Sequence, residues 1–379
     1  KITTSVTDIS CNTLGSDNKS IVGFSTSPSG SGTISGSVQM DNGSPFYGVS
    51  VSDSLWGSTV ATTTSDSDGD FSQTPLDLGW HSLTYSKSGY FDTNMEGLLE
   101  TDGQTLIVDS VRLLPDNCTS GTMTGKITNA VTGDNMSGVY MYYANGLDKK
   151  WRGNNRGYSF FSYIGNGGWS LSENAGWYTI LSYKPGYYYA YHNVFACGDQ
   201  PDQNNSMSEI LNEGEMRIIL KWPKTTPETG KDLDSHLQIP DNANSTNHIM
   251  YKNAYRTYYY ATDNHTCDSC SSDQLSDNVT IDRDDKTPPG DETITISKVR
   301  SGTYSFSVHN LTNSDNSSNY KTNLQQSRAK VRVFYCPVGT DCSDQEAVIE
   351  KKFHPPNDNG TLWRVFTFST SGSGSGFTR

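Results

Sequence analysis

Apolar and polar residues alternate along most of this chain in short runs, and glycine, asparagine or aspartate interrupts the runs. The pattern is clearest in Met216-Arg-Ile-Ile-Leu-Lys-Trp222, Asp291-Glu-Thr-Ile-Thr-Ile296, Gly302-Thr-Tyr-Ser-Phe-Ser-Val-His309, Ala329-Lys-Val-Arg-Val-Phe-Tyr335 and Leu362-Trp-Arg-Val-Phe-Thr-Phe368. A period of two is the side-chain period of a strand with one buried face, and β-branched and aromatic residues fit that pleated surface. The residues between runs favour tight reversals. The pattern therefore predicts an all-β chain.

An internal repeat organises the first half. Gly32-Thr-Ile-Ser-Gly36-Ser-Val matches Gly121-Thr-Met-Thr-Gly125-Lys-Ile, and Gly48-Val-Ser-Val matches Gly138-Val-Tyr-Met. Asp68-Gly69-Asp-Phe71 matches Arg156-Gly157-Tyr158, Gly79-Trp80 matches Gly176-Trp177, and Gly89-Tyr90 matches Gly186-Tyr187. The later matches lie further apart than the early ones, which places an insertion in the second copy around Ser162–Leu171. With 379 residues, the chain accommodates several units that each bury a core. The expected division is an extended segment over 1–30, β-sandwiches over 31–117 and 118–215, a third over 216–370, and a flexible Ser/Gly tail over 371–379. The three sandwiches are expected end to end in a row.

The ordered motifs of the two copies (G-x-V, G-V-x-V, D-x-x-G-x-F/Y, G-Y) resemble the carboxypeptidase regulatory-like, or transthyretin-like, β-sandwich. The third unit joins R-I-I-L-K-W, D-L-D-S-H-L, D-R-D-D, G-T-Y-x-F-x-V-H-N and L-W-x-V-F, and so resembles the YfaP-type Ig-like domain of unknown function. These resemblances imply β-sandwich folds and are silent on activity, because such modules serve as spacers, adhesion units and enzyme appendages alike. The segment from Asn242 to Asp277 is longer than the resemblance implies.

Two acidic motifs stand out in the third unit. Asp232 and Asp234 precede His236, and Asp282, Asp284 and Asp285 cluster around Arg283. Residues two apart in a strand share a face, so neighbouring strands would bring these acids together. Hard carboxylate oxygens of this kind suit calcium, whereas solvated turn acids with local counter-charges explain the same letters without an ion. His236 shares the parity of Asp232 and Asp234, as a ligand or as a hydrogen-bond partner that holds them. Asp66-x-Asp68-Gly69-Asp70 resembles part of a calcium loop but lacks the distal glutamate, and reads as a plain turn.

Charge and cysteines narrow the setting. The net charge is −13, which repels phosphate backbones and anionic bilayers, so nucleic-acid partners and membrane insertion are not expected. A start at Lys1 with no long apolar run reads as a mature exported form. Seven cysteines suggest an oxidising compartment. Cys118 with Cys197 and Cys336 with Cys342 are the expected disulfides. Cys267-x-x-Cys270 reads as a local disulfide, a redox pair or half a zinc site, and Cys11 is left for an intermolecular bridge. Glycan acceptors stand at Asn18, Asn42, Asn117, Asn135, Asn204, Asn244, Asn264, Asn278, Asn310, Asn316 and Asn359.

No nucleophile elbow, zincin helix, P-loop or dinucleotide fingerprint is present, and the chain is expected to be no enzyme. Consecutive tyrosines force some outward, and Tyr187, Tyr189, Tyr258 and Tyr260 are the candidates for interface or sugar stacking. The expected function is structural. The chain reads as a secreted subunit of a filament or surface assembly, self-associating through strand and aromatic contacts, with residues 1–25 donating a strand to a neighbour. The alternative is a carbohydrate-binding or adhesion module.

Overall fold

The computed structural model describes residues 30–40, 43–151, 157–165, 168–223, 232–240, 255–259, 279–299, 301–310, 324, 327–345, 347–356, 360–371 and 374–378. All the regular elements named among them are strands. The chain is all-β, as its period-two patterning predicts.

The first unit contains β1 (Ser31–Gln39), β2 (Ser50–Leu55), β3 (Ser58–Thr64), β4 (Asp70–Asp77), β5 (Gly79–Ser86), β6 (Thr93–Leu99), β7 (Thr105–Ile107) and β8 (Val111–Arg112). One sheet runs β3-β2-β5-β6, and the other runs β4-β1-β7 with β8 also on β1. Alternation places Val51 of β2 and Leu83 and Tyr85 of β5 in a shared core with Ile34, Val38 and Met95. Asp53 and His81 have the same parity. They are buried as a pair, Nδ1 to Oδ2 2.7 Å, with His81 Nε2 2.8 Å from the Asp77 carbonyl. Burial lowers the imidazole pKa, but the Asp53 carboxylate and the carbonyl outweigh it and the net shift is upward.

The second unit repeats the plan with β9 (Gly121–Asn129), β10 (Val139–Asn145), β11 (Ser159–Ile164), β12 (Gly168–Glu173), β13 (Gly176–Tyr183), β14 (Ala190–Ala196) and β15 (Asn205–Met207). Its sheets run β11-β10-β13-β14 and β12-β9-β15. The matched glycines Gly48 and Gly138 both take left-handed backbone, φ 70° and 72°, as do Gly89 and Gly186, both φ 84°. A side chain is strained there, so glycine recurs where the two copies turn.

The position of the insertion needs correction. β2 and β3 join through the two-residue turn Trp56-Gly57, whereas residues 146–158 separate β10 from β11. The extra residues therefore lie before β11 and not around Ser162–Leu171. Gly157 precedes β11 while Gly69 precedes β4, so these two glycines are not counterparts. A Cβ on Gly69 would meet the Val38 carbonyl at 2.5 Å, and one on Gly157 would meet nothing within 4 Å.

The third unit holds β16 (Met216–Trp222), β17 (Leu233–Pro240), β18 (Tyr255–Tyr259), β19 (Val279–Arg283), β20 (Gly290–Ile296), β21 (Gly302–Asn310), β22 (Lys330–Tyr335), β23 (Ile349–Phe353), β24 (Leu362–Ser371) and β25 (Gly374–Thr378). Two antiparallel sheets, β19-β20-β16-β22-β23 and β18-β17-β21-β24-β25, enclose Leu220, Trp222, Leu237, Phe306, Val333 and Phe368. Gly290 is fixed by packing, since a Cβ there would sit 2.2 Å from the Trp222 ring. The tail also differs from expectation. Gly374–Thr378 is an edge strand rather than a free linker, because the Phe377 ring lies 4.6 Å from that of Phe368 and 5.3 Å from that of Phe366.

The units are not arranged in a simple row. Trp177 Nε1 of the second donates to the Arg112 carbonyl of the first at 2.7 Å. Tyr188 of the second stacks on Phe334 of the third, centroids 5.0 Å apart, in a cluster with Leu211, Ile219 and the Cys336–Cys342 disulfide. Each such buried ring contributes about 2 kcal/mol. First and third units also touch, since Asp109 takes Lys330 at 2.5 Å and His354 at 2.8 Å. Burial alone would raise the Asp109 carboxyl, but these two partners hold it well below the usual carboxylate range.

Candidate functional site

Parity along β17 builds the site. Leu233, Leu237 and Ile239 point into the core, so Asp234 and His236 face the other side of the sheet. On the neighbouring β21, Tyr304, Phe306 and Val308 are inward, which turns His309 outward. The antiparallel register sets Asp234 directly opposite His309 and His236 opposite Ser307, so the two imidazoles are diagonal neighbours with centroids 5.8 Å apart. Asp234, His236 and His309 each bring one ligand-type atom to within 4.8 Å of the others. Asp234 is 2 % exposed.

The five predicted acids separate into two groups. β17 and β19 belong to opposite sheets and are not neighbours. A register shift between Ile281 and Arg283 also breaks the parity on which a shared face for Asp282 and Asp284 depends. Asp282 accepts the Thr295 hydroxyl. Asp285 accepts from Arg283 at 2.7 Å and from the Asp291 amide at 2.9 Å. Asp282 and Asp285 therefore do not join the group predicted for them.

Asp232, Asp234 and Asp284 do approach, and Glu292 joins them from β20. Glu292 Oε2 accepts the Ser235 amide at 2.7 Å. Burial, then the charges of Asp232 and Asp284, pushes Asp234 up to about 7. Burial and then Asp284 raise Asp232. Burial lifts Glu292 well above the usual range against the pull of Ser235, with Asp234 and Asp284 adding to the rise. Burial, then His309, pushes His236 down to about 4. Among the described residues, Asp232 Oδ1, Asp234 Oδ2, Asp284 Oδ1 and Glu292 Oε1 are buried without a hydrogen-bond partner. Glu292 and His309 were not singled out from sequence. The signal for Glu292 was an acid at the same parity as Ile294 and Ile296, and for His309 a second histidine on the strand that pairs with β17.

The other predicted sites are distributed as follows. Disulfides join Cys118 to Cys197 and Cys336 to Cys342, while Cys11, Cys267 and Cys270 lie outside the described residues. Tyr187 and Tyr189 are half-buried and not outward platforms. The Tyr187 hydroxyl is tied to Glu209 at 3.1 Å, and the Tyr189 amide donates to Gln345 of the third unit at 2.8 Å. The side chain of Tyr258 and all of Tyr260 lie outside the described residues. The exposed aromatics among the described residues are instead Tyr47 and Trp56 in turns of the first unit, Tyr140 on β10, and Phe160 and Tyr163 on β11.

Asn117 and Asn135 are exposed, and Asn204 is half-buried with its Oδ1 accepting the Lys126 amide at 2.8 Å. Asn310 is 0 % exposed within β21, which leaves no room for a glycan and corrects that assignment. Asn18, Asn42, Asn244, Asn264, Asn278, Asn316 and Asn359 lie outside the described residues. Asp66 accepts the amides of Asp68 and Asp70, both at 2.9 Å, which makes its motif a turn. Two surface clefts of about 590 and 520 Å³ border β9 and β12, and neither brings a histidine or cysteine to its lining. No helix of the described residues is long and apolar enough to cross a membrane.

No family model and no curated protein matches the chain. Among solved structures it is similar to the Bacillus anthracis TIE protein, at 10% identity over 73% of this chain and 45% of that one, TM-score 0.21. It is similar to a Streptococcal ancillary pilin at 13% identity over 47% of this chain and 62% of that one, TM-score 0.19. Klebsiella pneumoniae 5-hydroxyisourate hydrolase matches at 21% identity over 22% of this chain and 94% of that one, TM-score 0.18. The chain thus spans less than two thirds of the first two. Likeness at this level carries nothing about activity, and the β-sandwich rests on the sheets described above.

Proposed function

We propose that this chain is a non-catalytic, secreted structural protein, a subunit of a surface assembly or filament. On this reading two regulatory-like sandwiches precede a YfaP-type one. The observation that carries it is β11, Ser159-Phe-Phe-Ser-Tyr-Ile164. It is an edge strand, pairing with β10 alone among the described strands, and it contains no charge and no proline. Phe160 and Tyr163 on it are 55% and 57% exposed. Edge strands are ordinarily blunted by lysine, proline or a bulge. Here a register shift interrupts the pairing at Phe161, but neither charge nor proline guards the edge. Unpaired backbone beside exposed rings is a template for a strand from another chain, with main-chain hydrogen bonds supplying affinity and side chains supplying selectivity.

Two disulfides support an oxidising, extracellular setting, and among the described residues Asn117 and Asn135 are the exposed glycan acceptors. Residues 1–25 remain our candidate donor strand, with Cys11 as a cross-link. Phe160→Lys with Tyr163→Lys, and separately deletion of residues 1–25, test the reading by electron microscopy. Loss of polymers is the expected result, and unchanged filaments in both variants would overturn it.

A second reading, glycan binding, is favoured by Tyr140 and Tyr163, whose rings lie 4.9 Å apart at the surface. A glycan-array signal from monomeric protein, lost in Tyr140→Ala, would support it.

A further inference from the structure

We infer that Asp234, His236 and His309 form a binding site for a divalent transition cation of the zinc class, which clips β17 to β21 on the outer face of the third sandwich. The set shares Asp234 with the predicted five-acid calcium site but replaces the other acids with two imidazoles, and two of those acids are committed elsewhere. Three observations carry it. The first is register: Asp234 stands opposite His309, and His236 diagonal to it, so three donors project from two hydrogen-bonded strands whose spacing the ladder fixes. The second is proximity, with one donor atom from each inside 4.8 Å. A tetrahedral ion with bonds of about 2.0–2.2 Å needs donors roughly 3.3–3.6 Å apart, a closure that side-chain rotation supplies. The third is Asp234 itself, 2% exposed with Oδ2 meeting no hydrogen-bond donor among the described residues. A buried carboxylate oxygen left this way is costly unless something positive meets it.

The donor chemistry selects the ion. Calcium takes six to eight oxygens, whereas imidazole suits zinc, copper, nickel and iron. Two imidazoles and one carboxylate form a three-ligand set that leaves a fourth position for water or another donor. Asp232, Asp284 and Glu292 lie near Asp234 without belonging to the set, and their negative field favours a cation over an anion.

Cobalt(II) serves as the spectroscopic probe on the whole chain, with zinc and calcium titrated in parallel by calorimetry after chelator treatment. The expected result is one zinc or cobalt per chain, visible absorption of tetrahedral cobalt, and at least a tenfold loss of affinity in His236→Gln and in His309→Gln. Far-UV circular dichroism and unchanged metal-free melting establish that each variant is folded. Retention of binding in Cys267→Ser with Cys270→Ser supports the assignment. It is overturned if the wild-type chain binds neither ion, if binding disappears with those cysteines, or if both folded histidine variants bind as before. It is equally overturned if calcium alone stabilises the chain and Asp284→Asn, rather than either histidine change, abolishes the effect.

Discussion

Two groups of carboxylates stand on opposite sides of one short segment, and the protein treats them differently. Asp285 and Asp291 are met by cations of the chain itself: Arg283 reaches Asp285 at 2.7 Å and Asp291 at 3.4 Å, and Lys221 reaches Asp291 at 3.6 Å. Asp232, Asp234, Asp284 and Glu292 have no ion pair of this kind among the described residues, and three of the four are shifted upward by burial. The same residue type near the same turn is thus ion-paired in one group and without such a pair among the described residues in the other. What separates them is whether a guanidinium or ammonium lies within reach, which for Asp291 and Glu292 depends on the opposite faces that consecutive residues of β20 present.

The largest expected effect tests the satisfied group. Arg283→Ala strips Asp285 of its cation and leaves Asp291 with Lys221 alone, and should lower unfolding stability by about 3 kcal/mol, read as a fall in the urea midpoint. An unchanged midpoint would mean that the arginine is not their principal counter-charge.

Next comes pH dependence, in which the contrast has a sign. Burial would lift Glu350, but Lys352, Arg332 and Lys150 outweigh it and hold it at about 2. Its contribution, about 2 kcal/mol, is present above the ordinary value of 4.5 and is lost as pH falls toward 2. Glu292 is shifted upward by burial from the same ordinary value. Its folded form holds the proton more tightly, so its contribution is present below 4.5 and is lost as pH rises. Melting temperatures of chelator-treated protein across pH should flatten on the acid side in Glu350→Gln and on the alkaline side in Glu292→Gln. The opposite assignment would break the comparison.

Without metal, at a pH high enough to ionise Glu292 in the folded protein, Glu292→Gln removes a buried charge while keeping an acceptor for the Ser235 amide. A gain of about 1 kcal/mol is expected by chemical denaturation. A loss would show that the carboxylate is already neutralised. The smallest effect belongs to exposed Lys286, which only modestly opposes the rise at Asp232 and Asp234. Lys286→Ala should move the melting temperature by an amount at the edge of detection, and more at low salt than at high salt.

Much of the fold was legible because period-two patterning acts locally. Leu233, Leu237 and Ile239, or Tyr304, Phe306 and Val308, declare their inward face from the letters alone. The site was only half legible. Asp232, Asp234 and Asp284 announced themselves by spacing, but the register shift at Asp282 and the sheet assignment of β19 are consequences of long-range pairing that no local pattern encodes. Glu292 and His309 became meaningful only once β20 and β21 were placed. The insertion was misplaced because Gly69 and Gly157 share a left-handed backbone, φ 77° and 88°, while serving different turns.

The bond from Asp109 to Lys330 and His354 closes a circuit between the first and third sandwiches, with the second as the other arm. Under tension between the chain ends, load divides between the arms, so the middle sandwich is shielded while the circuit holds. Once it opens, the load passes wholly to the middle sandwich and its docking contacts at Trp177 and Tyr188 before any sandwich unravels. A chain of separate beads has no such intermediate step, and this one therefore combines a short-range yield point with the stiffness of its sheets.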